Sequence, residues 1–378
     1  MHIPLHKPLW GKKAERAVLS ALRTGVGTAD GPYTRAMREK LKLLTKTSAA
    51  IPVTSCTHAM ETAVACLGAK TGDEIIVPSF TLASTATAVM IRGATPVFAD
   101  IDPVSYSLDP QSVAKRITKR TVGIITVHYA GMAGGYFDSL LGLAKQHNLW
   151  LVEDAAHCIG SVYKKKHLGT FGTAGALSFH GTKNVAAGEG GAILTDDARL
   201  ADAMEVFRSI GTDRMQFLAG KVSAYSWVGE GSSYMLSDIL AALVNIQLDQ
   251  IDRINKNRSR IASEYTKFWS TYADKVQLPV LPKGMTVPNW HIYALKFRSP
   301  QLTTKFITAM RKKHIEVSSH YLPLHLAPMG RRIGVNTPSL PVTVDVASTI
   351  VRMPIYAGMT SLEREYVITT AGKVLRTL

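Results

Sequence analysis

Ser178-Phe179-His180-Gly181-Thr182-Lys183-Asn184, followed by Gly188-Glu189-Gly190-Gly191, decides how this chain is read. The apolar run 174–177 leads into it and the apolar run 192–194 leads out. A lysine is thereby held between two buried strands, in a turn too rich in glycine to be a surface helix. Burial disfavours the charged ammonium, lowers its pKa and frees the amine to attack carbonyls. The alternative is a lysine whose stem packs while its head reaches water. This window alone does not separate the two.

Composition narrows the field. The chain has 378 residues, 46% of them hydrophobic, enough for a large core and a second domain. No run of 18 apolar residues occurs, and the first 13 residues lack the apolar centre of a signal peptide. The three cysteines, Cys56, Cys66 and Cys158, have no framework spacing, which predicts a reduced, cytoplasmic protein without a membrane anchor. The twelve histidines are scattered and no CxxC or HExxH occurs, so no metal site is expected. The net charge of +16 is spread in short basic runs without interleaved aromatics. That pattern fits a solvated surface or the steering of a small anionic substrate better than nucleic-acid binding.

The pattern along the chain is an alternation of strands and helices. Residues 12–24 and 33–44 read as amphipathic helices of an N-terminal arm (about 1–45) that packs outside the sheet or against a partner subunit. Strands are expected at 51–53, 74–77, 96–99, 122–127 and 149–152, with helices from 56 to 67 and up to Ile91. Such alternation implies a parallel sheet with helices on both faces, and ligands then lie beyond the carboxyl ends of the strands. Those ends carry Ser55, Cys56 and Thr57, then Phe80, His128, and Asp154 to His157, before the segment of Lys183. Small hydroxyl residues where a strand turns into a helix offer amides and side chains suited to phosphate. On those residues alone an ordinary helix cap is the simpler account.

Together the rim suits an aldehyde cofactor of the pyridoxal phosphate kind. That chemistry needs a lysine, a carboxylate to keep the ring nitrogen protonated, a platform for the ring and a cradle for the phosphate. An aspartate ending an apolar strand is costly without a partner, so Asp154 requires one. Capping of the following segment is its structural alternative, and the presence of Lys183 favours the cofactor role.

Residues 152–157 (Val-Glu-Asp-Ala-Ala-His), the Lys183 segment and Gly188-Glu-Gly-Gly191 resemble the DegT/DnrJ/EryC1/StrS family of sugar aminotransferases over nearly the whole chain. The resemblance implies the α/β fold type I of pyridoxal phosphate enzymes. A large domain with a mostly parallel seven-stranded sheet (1–250) would be followed by a smaller α+β domain (251–378). By the same resemblance Lys183 binds the cofactor covalently and shuttles protons, while Asp154 pairs with the ring nitrogen. His157 sits near the ring hydroxyl, Phe80 stacks on the ring, and Cys56, Thr57 and Ser178 hold the phosphate. Some family members carry histidine at the lysine position and dehydrate sugars; here the residue is lysine. Many members have asparagine where this chain has Ser233, a residue that reaches the cofactor phosphate of the neighbouring subunit; serine keeps the polarity and shortens the reach.

Residues 208–238, with His128-Tyr-Ala-Gly131 and His147-Asn-Leu149, resemble the subgroup that makes dTDP-4-amino-4,6-dideoxygalactose from dTDP-4-dehydro-6-deoxyglucose. L-glutamate is the donor the resemblance implies, and a homodimer the assembly. Amination at position 3, the 4-amino gluco epimer, and a pyridoxal phosphate-binding regulatory protein without turnover are the competing readings. Further on, 237–268 reads as one or two long helices with Asp238, Asp249 and Asp252 on polar faces. A strand at 290–297 and helices at 301–312 and 362–378 follow. Tyr321 and His325, in the loop His320-Tyr-Leu-Pro-Leu-His325, are candidate contacts to the sugar or its diphosphate, or else packed loop residues.

Overall fold

A computed structural model describes residues 1–333 and 339–378. Its main sheet is built from β1 (Ala49–Val53), β2 (Glu74–Pro78), β3 (Thr95–Ala99), β4 (Thr121–Val127) and β5 (Trp150–Asp154). After a short excursion, β6 (Val162–Tyr163) and β7 (Lys166–His167), the sheet is completed by β8 (Ala174–Ser178) and β9 (Gly191–Thr195). The spatial order is β1-β9-β8-β5-β4-β2-β3. Strands β2, β3, β4, β5 and β8 pair in parallel, whereas β9 runs antiparallel to both of its neighbours. The cause of the reversal is local. Parallel pairing needs a helical crossover, and the connection 179–190 contains no helix. The chain turns back on itself, and Lys183 lies in that turn at the carboxyl end of β8.

The opening expectation of a lysine between two buried strands holds: every residue of β8 and β9 is buried. Strand β5 continues two residues past the expected 149–152, so Glu153 and Asp154 lie within the strand. Three sequence regions too short to show a period form a small sheet in the order β11-β6-β7, with β11 at Met285–Val287 following β10 (Val276–Gln277). The last sheet, β10-β12-β13, adds β12 (Tyr293–Phe297) and β13 (Ile350–Met353), all antiparallel. Against it pack the helices Ile251–Trp269, Pro300–Lys312 and Ser361–Thr377, around Tyr265, Trp269, Phe297 and Phe306. These large rings supply much of the apolar area buried there. The expected strand at 290 begins only at Tyr293, because Trp290 adopts a left-handed backbone (φ 46°) that extended pairing does not admit.

The amino terminus is less peripheral than its polar sequence suggests. Ile3 is fully buried in the C-terminal core and bridges Ile315, with Ile3 N–H donating to the His314 carbonyl at 2.9 Å. Helix α1 (Lys12–Arg23) then packs Ala17 and Ala21 against Ala242, while α2 (Pro32–Thr45) lies between β1 and the helix Asp238–Leu248. The region 237–268 forms two helices, Asp238–Leu248 and Ile251–Trp269. Asp249 and Asp252 are exposed as expected, but Asp238 is fully buried. Its carboxylate accepts from Thr34 N–H at 2.6 Å, Thr34 Oγ1 at 2.7 Å and Tyr33 N–H at 3.2 Å. The side chain of one helix therefore caps the amino terminus of another, a role that no local periodicity can reveal.

A second buried network fixes the segment 209–235. Arg208, fully buried, donates to Asp30 at 2.8 Å and to Glu205 at 2.6 Å, and Arg214 donates to Asp30 at 3.0 Å. Burial raises the Asp30 carboxyl pKa, but the charges of Arg208, Arg38 and Arg214 hold it below its ordinary value. Among the described residues no helix is long and apolar enough to cross a membrane. Replacing Asp238 by alanine strands two backbone donors in the core at about 1–3 kcal/mol each. Denaturant unfolding of Asp238→Ala should accordingly show a loss of about 2–4 kcal/mol.

Candidate active site

A cleft of about 400 Å³ opens at the carboxyl ends of the strands and is lined by Lys183, Asp154, His157, Cys56, Thr57, Ser178 and Tyr321. Each side chain arrives by a different route. The chain leaves β1 through Ser55, whose Oγ accepts from His58 N–H at 3.1 Å and caps α3 (Cys56–Cys66). Cys56 and Thr57, the first residues of α3, line the cleft, so it lies at the helix end that favours an anion. Strand β9 must pass close to this cap. A Cβ on Gly191 would lie 2.4 Å from the Ser55 carbonyl carbon, so only glycine fits where β9 begins.

Asp154 ends β5 and is buried, with Thr85 Oγ1 at 2.9 Å, Ala156 N–H at 3.2 Å and, weakly, the Cys56 thiol as its hydrogen-bond donors. No cation pairs with it among the described residues. Burial pushes its carboxyl pKa above the ordinary value, and the Thr85 and Ala156 hydrogen bonds and the Lys183 charge do not cancel that push. Cys56 Sγ lies 3.8 Å from Asp154 Oδ1, and burial raises its thiol pKa, so it remains uncharged.

Glu153, one residue earlier, serves the scaffold. Fully buried, it accepts from His128 Nε2 at 2.7 Å and from the amides of Gly169, Phe171 and Gly172 at 2.8, 2.6 and 2.7 Å. Burial raises its carboxyl pKa, yet His128 and those amides hold it below the ordinary value. His128, a rim candidate from the sequence, is thus spent behind the cleft.

Lys183 is held by its own turn. Its N–H donates to the His180 carbonyl at 2.8 Å, and Gly181 N–H to the Gly188 carbonyl at 2.8 Å. Neighbouring Asn184 donates to the Asn289 carbonyl at 3.0 Å and meets His291 Nδ1 at 3.0 Å. The chain entering β12 is itself fastened by Arg258, which donates to the carbonyls of Trp290 and His291 at 2.9 and 2.7 Å. Desolvation lowers the Lys183 pKa to about 8, against the opposing pull of Asp154. Of the two readings of the opening window, the geometry favours the nucleophilic amine. Burial and Lys183 likewise keep His157 neutral, with Nδ1 lacking a partner and its ring 4.3 Å from that of His291.

The remaining candidates divide. Tyr321 lines the cleft, but Phe80 does not. Its ring is fully buried against Tyr129 at 5.3 Å, Tyr321 at 5.5 Å and Tyr106 at 6.3 Å. The residues presented to the cleft are Thr81, Leu82 and Ser84, where the chain turns into α4 (Ala83–Met90). His325 is also buried elsewhere, with Nδ1 2.6 Å from Ser79 Oγ, beside a different pocket. Ser233 is exposed and is not among the residues lining its own chain's cleft. Sequence reasoning missed His6, His291, His320 and Arg352, which also line the cleft. His320 stood in a quoted motif; the others come from distant segments with no local pattern.

The donor set fits pyridoxal phosphate. Asp154 is a buried carboxylate without a cation, suited to a protonated ring nitrogen; His157 presents an unpartnered nitrogen; and the amides of α3 suit the phosphate. The DegT/DnrJ/EryC1/StrS aminotransferase family matches residues 9–371. The uncharacterized protein MJ1066 of Methanocaldococcus jannaschii is 31% identical over 380 residues, covering 99% of this chain and 97% of that protein. The spore coat polysaccharide biosynthesis protein SpsC of Bacillus subtilis is 30% identical over 383 residues, covering 99% and 97%. Among solved structures, S. venezuelae DesV in complex with a ketimine intermediate is 28% identical, with a TM-score of 0.87 over 98% of each chain. A match over almost the full chain, on a cleft with this donor set, establishes that the protein belongs to the DegT/DnrJ/EryC1/StrS aminotransferase family and is a pyridoxal phosphate-dependent aminotransferase.

Proposed function

We infer that the enzyme moves an amino group from L-glutamate to the 4-keto group of dTDP-4-dehydro-6-deoxyglucose, giving dTDP-4-amino-4,6-dideoxygalactose and 2-oxoglutarate. The observation that carries the reading is one cleft containing both a depressed lysine and a buried carboxylate without a cation. Bound there, the cofactor supplies an electron sink next to the carbon that loses its proton. Lys183 is the covalent attachment point and then the acid–base group. It takes the proton from the donor's α-carbon and, in the second half-reaction, delivers one to the sugar carbon that receives nitrogen. Asp154 holds the ring nitrogen protonated, His157 orients the ring, and Cys56, Thr57 and Ser178 hold the phosphate end. The sugar and the 4-position rest on the sequence likeness of residues 208–238 described above.

We also propose a homodimer in the cytoplasm. Ile210, Phe217, Leu218, Tyr225 and Trp227 are exposed on one connected segment, Trp227 by 82%. Several exposed apolar side chains on one segment, with Phe217 and Tyr225 packed edge to face, suit a second copy of the chain. Ser233, exposed on the same segment, would then reach the partner's cofactor phosphate. Sedimentation velocity should give a dimer that Trp227→Glu shifts towards monomer; a monomeric wild-type protein refutes the assembly.

The decisive experiment is an absorbance titration of the holoenzyme. Glutamate should bleach the cofactor band, the keto-sugar should restore it, and NMR of the product fixes the position and stereochemistry of the amine. Bleaching without recovery rejects this sugar and leaves the aminotransferase assignment standing. Lys183→Ala should keep the fold and lose both the covalent band and turnover. Asp154→Asn should still bind cofactor while turnover falls at least roughly 100-fold.

The depressed lysine also sets a pH dependence. Only the neutral amine attacks an aldehyde, so cofactor capture by the apoprotein should speed up with pH and level off above about 8. A capture rate that keeps climbing towards pH 10 shows an ordinary, solvated lysine instead.

A further inference from the structure

The segment 289–291 is held more tightly than a connection into β12 requires. Trp290 has a left-handed backbone at φ 46°, which a bulky residue adopts only where its surroundings impose it. Arg258, buried on the helix Ile251–Trp269, forms no ion pair among the described residues, and its hydrogen bonds go to the carbonyls of Trp290 and His291. Burial lowers its pKa to about 9. A guanidinium withdrawn from water to hold two carbonyls is unfavourable by itself. Such strain persists where the position it fixes is put to use.

The flanking side chains show what is being fixed. Asn289 is fully buried and uses every polar atom of its side chain. Its Nδ2 donates to the His157 carbonyl at 2.7 Å and the Ile159 carbonyl at 3.0 Å, and its Oδ1 accepts from His291 N–H at 3.0 Å. Its backbone carbonyl accepts from Asn184 Nδ2. The chain passing this knot has to be glycine: a Cβ on Gly131 would lie 2.1 Å from Asn289 Oδ1 and 2.5 Å from the His157 carbonyl oxygen.

These bonds assign the protons. A carbonyl only accepts, so Asn184 presents Nδ2 to Asn289 and Oδ1 to His291. His291 Nδ1, 3.0 Å from that oxygen, therefore carries the hydrogen. Burial, with His157 and Lys183 nearby, keeps the ring neutral, which leaves Nε2 as a bare acceptor. Asn184 directly follows Lys183, so its two side-chain bonds act one residue from the amine.

We propose that His291, as the Nδ1–H tautomer, is a positioning residue: by donating to Asn184 it fixes the angle at which Lys183 presents its amine to the aldehyde of the cofactor. Asn289 and Arg258 hold the ring in place to do so. An amine must approach a carbonyl along a defined line, and a turn free to tilt loses rate without losing affinity.

The inference rests on Lys183 as the covalent attachment point, and Lys183→Ala tests that separately. A covalent band retained in that variant removes the attachment reading whatever His291 does. With that control satisfied, two quantities are measured on the apoprotein at about pH 8. One is the rate at which added pyridoxal phosphate forms the covalent band. The other is the calorimetric affinity for pyridoxamine phosphate, which fills the same site and has no aldehyde. His291→Phe keeps a ring and removes the donor; capture should slow by about 10-fold while pyridoxamine phosphate affinity stays within about twofold of wild type. In His291→Asn the side-chain amide takes the place of Nδ1–H, and capture should return to within about threefold of wild type. An unchanged rate in His291→Phe overturns the proposal, as does an asparagine variant equally slow. Equal losses of capture and of pyridoxamine phosphate affinity mark a general packing role and overturn it too. Should His291→Phe fail to fold, His291→Gln replaces it, because its longer side chain carries the amide to the Nε2 position. Capture about 10-fold slower than in His291→Asn supports the proposal, and equal rates overturn it.

Discussion

The constraint on which this structure depends is the burial of the Asp154 carboxylate at the end of β5 without a cation of its own. Thr85, the Ala156 amide and, weakly, the Cys56 thiol supply hydrogen bonds, too few to offset full desolvation, so the carboxyl pKa stays raised. In the proposed reading, a protonated pyridine nitrogen would complete the pair and recover that energy. Holding such a group requires rigid walls. The adjacent Glu153 provides one of them by gathering three loop amides and His128 onto the sheet. Two successive acidic residues on one strand therefore have opposite purposes, because alternate strand positions face opposite sides of the sheet. One is satisfied by the protein, and the other faces the cleft without a cation.

The reversal of β9 is the second organising feature. In an all-parallel sheet Lys183 would sit in a loop before a crossover helix, with more freedom. Turning straight back confines it between two buried strands, and the Asn184–His291 contact fastens the turn to the C-terminal region. Desolvation then acts on the amine as it acts on Asp154, moving both towards their neutral forms. Lys183 and Asp154 are thus shifted by the same physical effect.

Much of the candidate site was legible in the sequence because its residues lie in short continuous motifs at strand ends. Cys56, Thr57, Asp154, His157, Ser178 and Lys183 were all named from such motifs, and all line one cleft. The misplacements have a common origin. Phe80 was assigned from its place at a strand end and from the family resemblance, and His325 from the loop that resemblance directs to the site, but the turn after β2 buries Phe80 among tyrosines and presents Thr81 and Leu82. His325 is drawn aside by Ser79. Asp238 was given a polar face from helical spacing, although a neighbouring helix needed its carboxylate as a cap. Side-chain direction within a turn, and the needs of a distant helix end, are not encoded in local periodicity.

By itself the sequence determined the alternation of strands and helices, the buried turn of Lys183, the acid at the end of β5 and the aminotransferase family. Each of these is written in hydrophobic period or in a contiguous motif. Only the tertiary structure decided that Asp154 lacks a cation and that the Lys183 amine is desolvated. It alone brought Arg352, His320 and His6 to the same cleft from separate stretches of the chain. Burial and electrostatics depend on what surrounds a group in space, and for these residues the surroundings come from segments up to 346 positions apart, between His6 and Arg352.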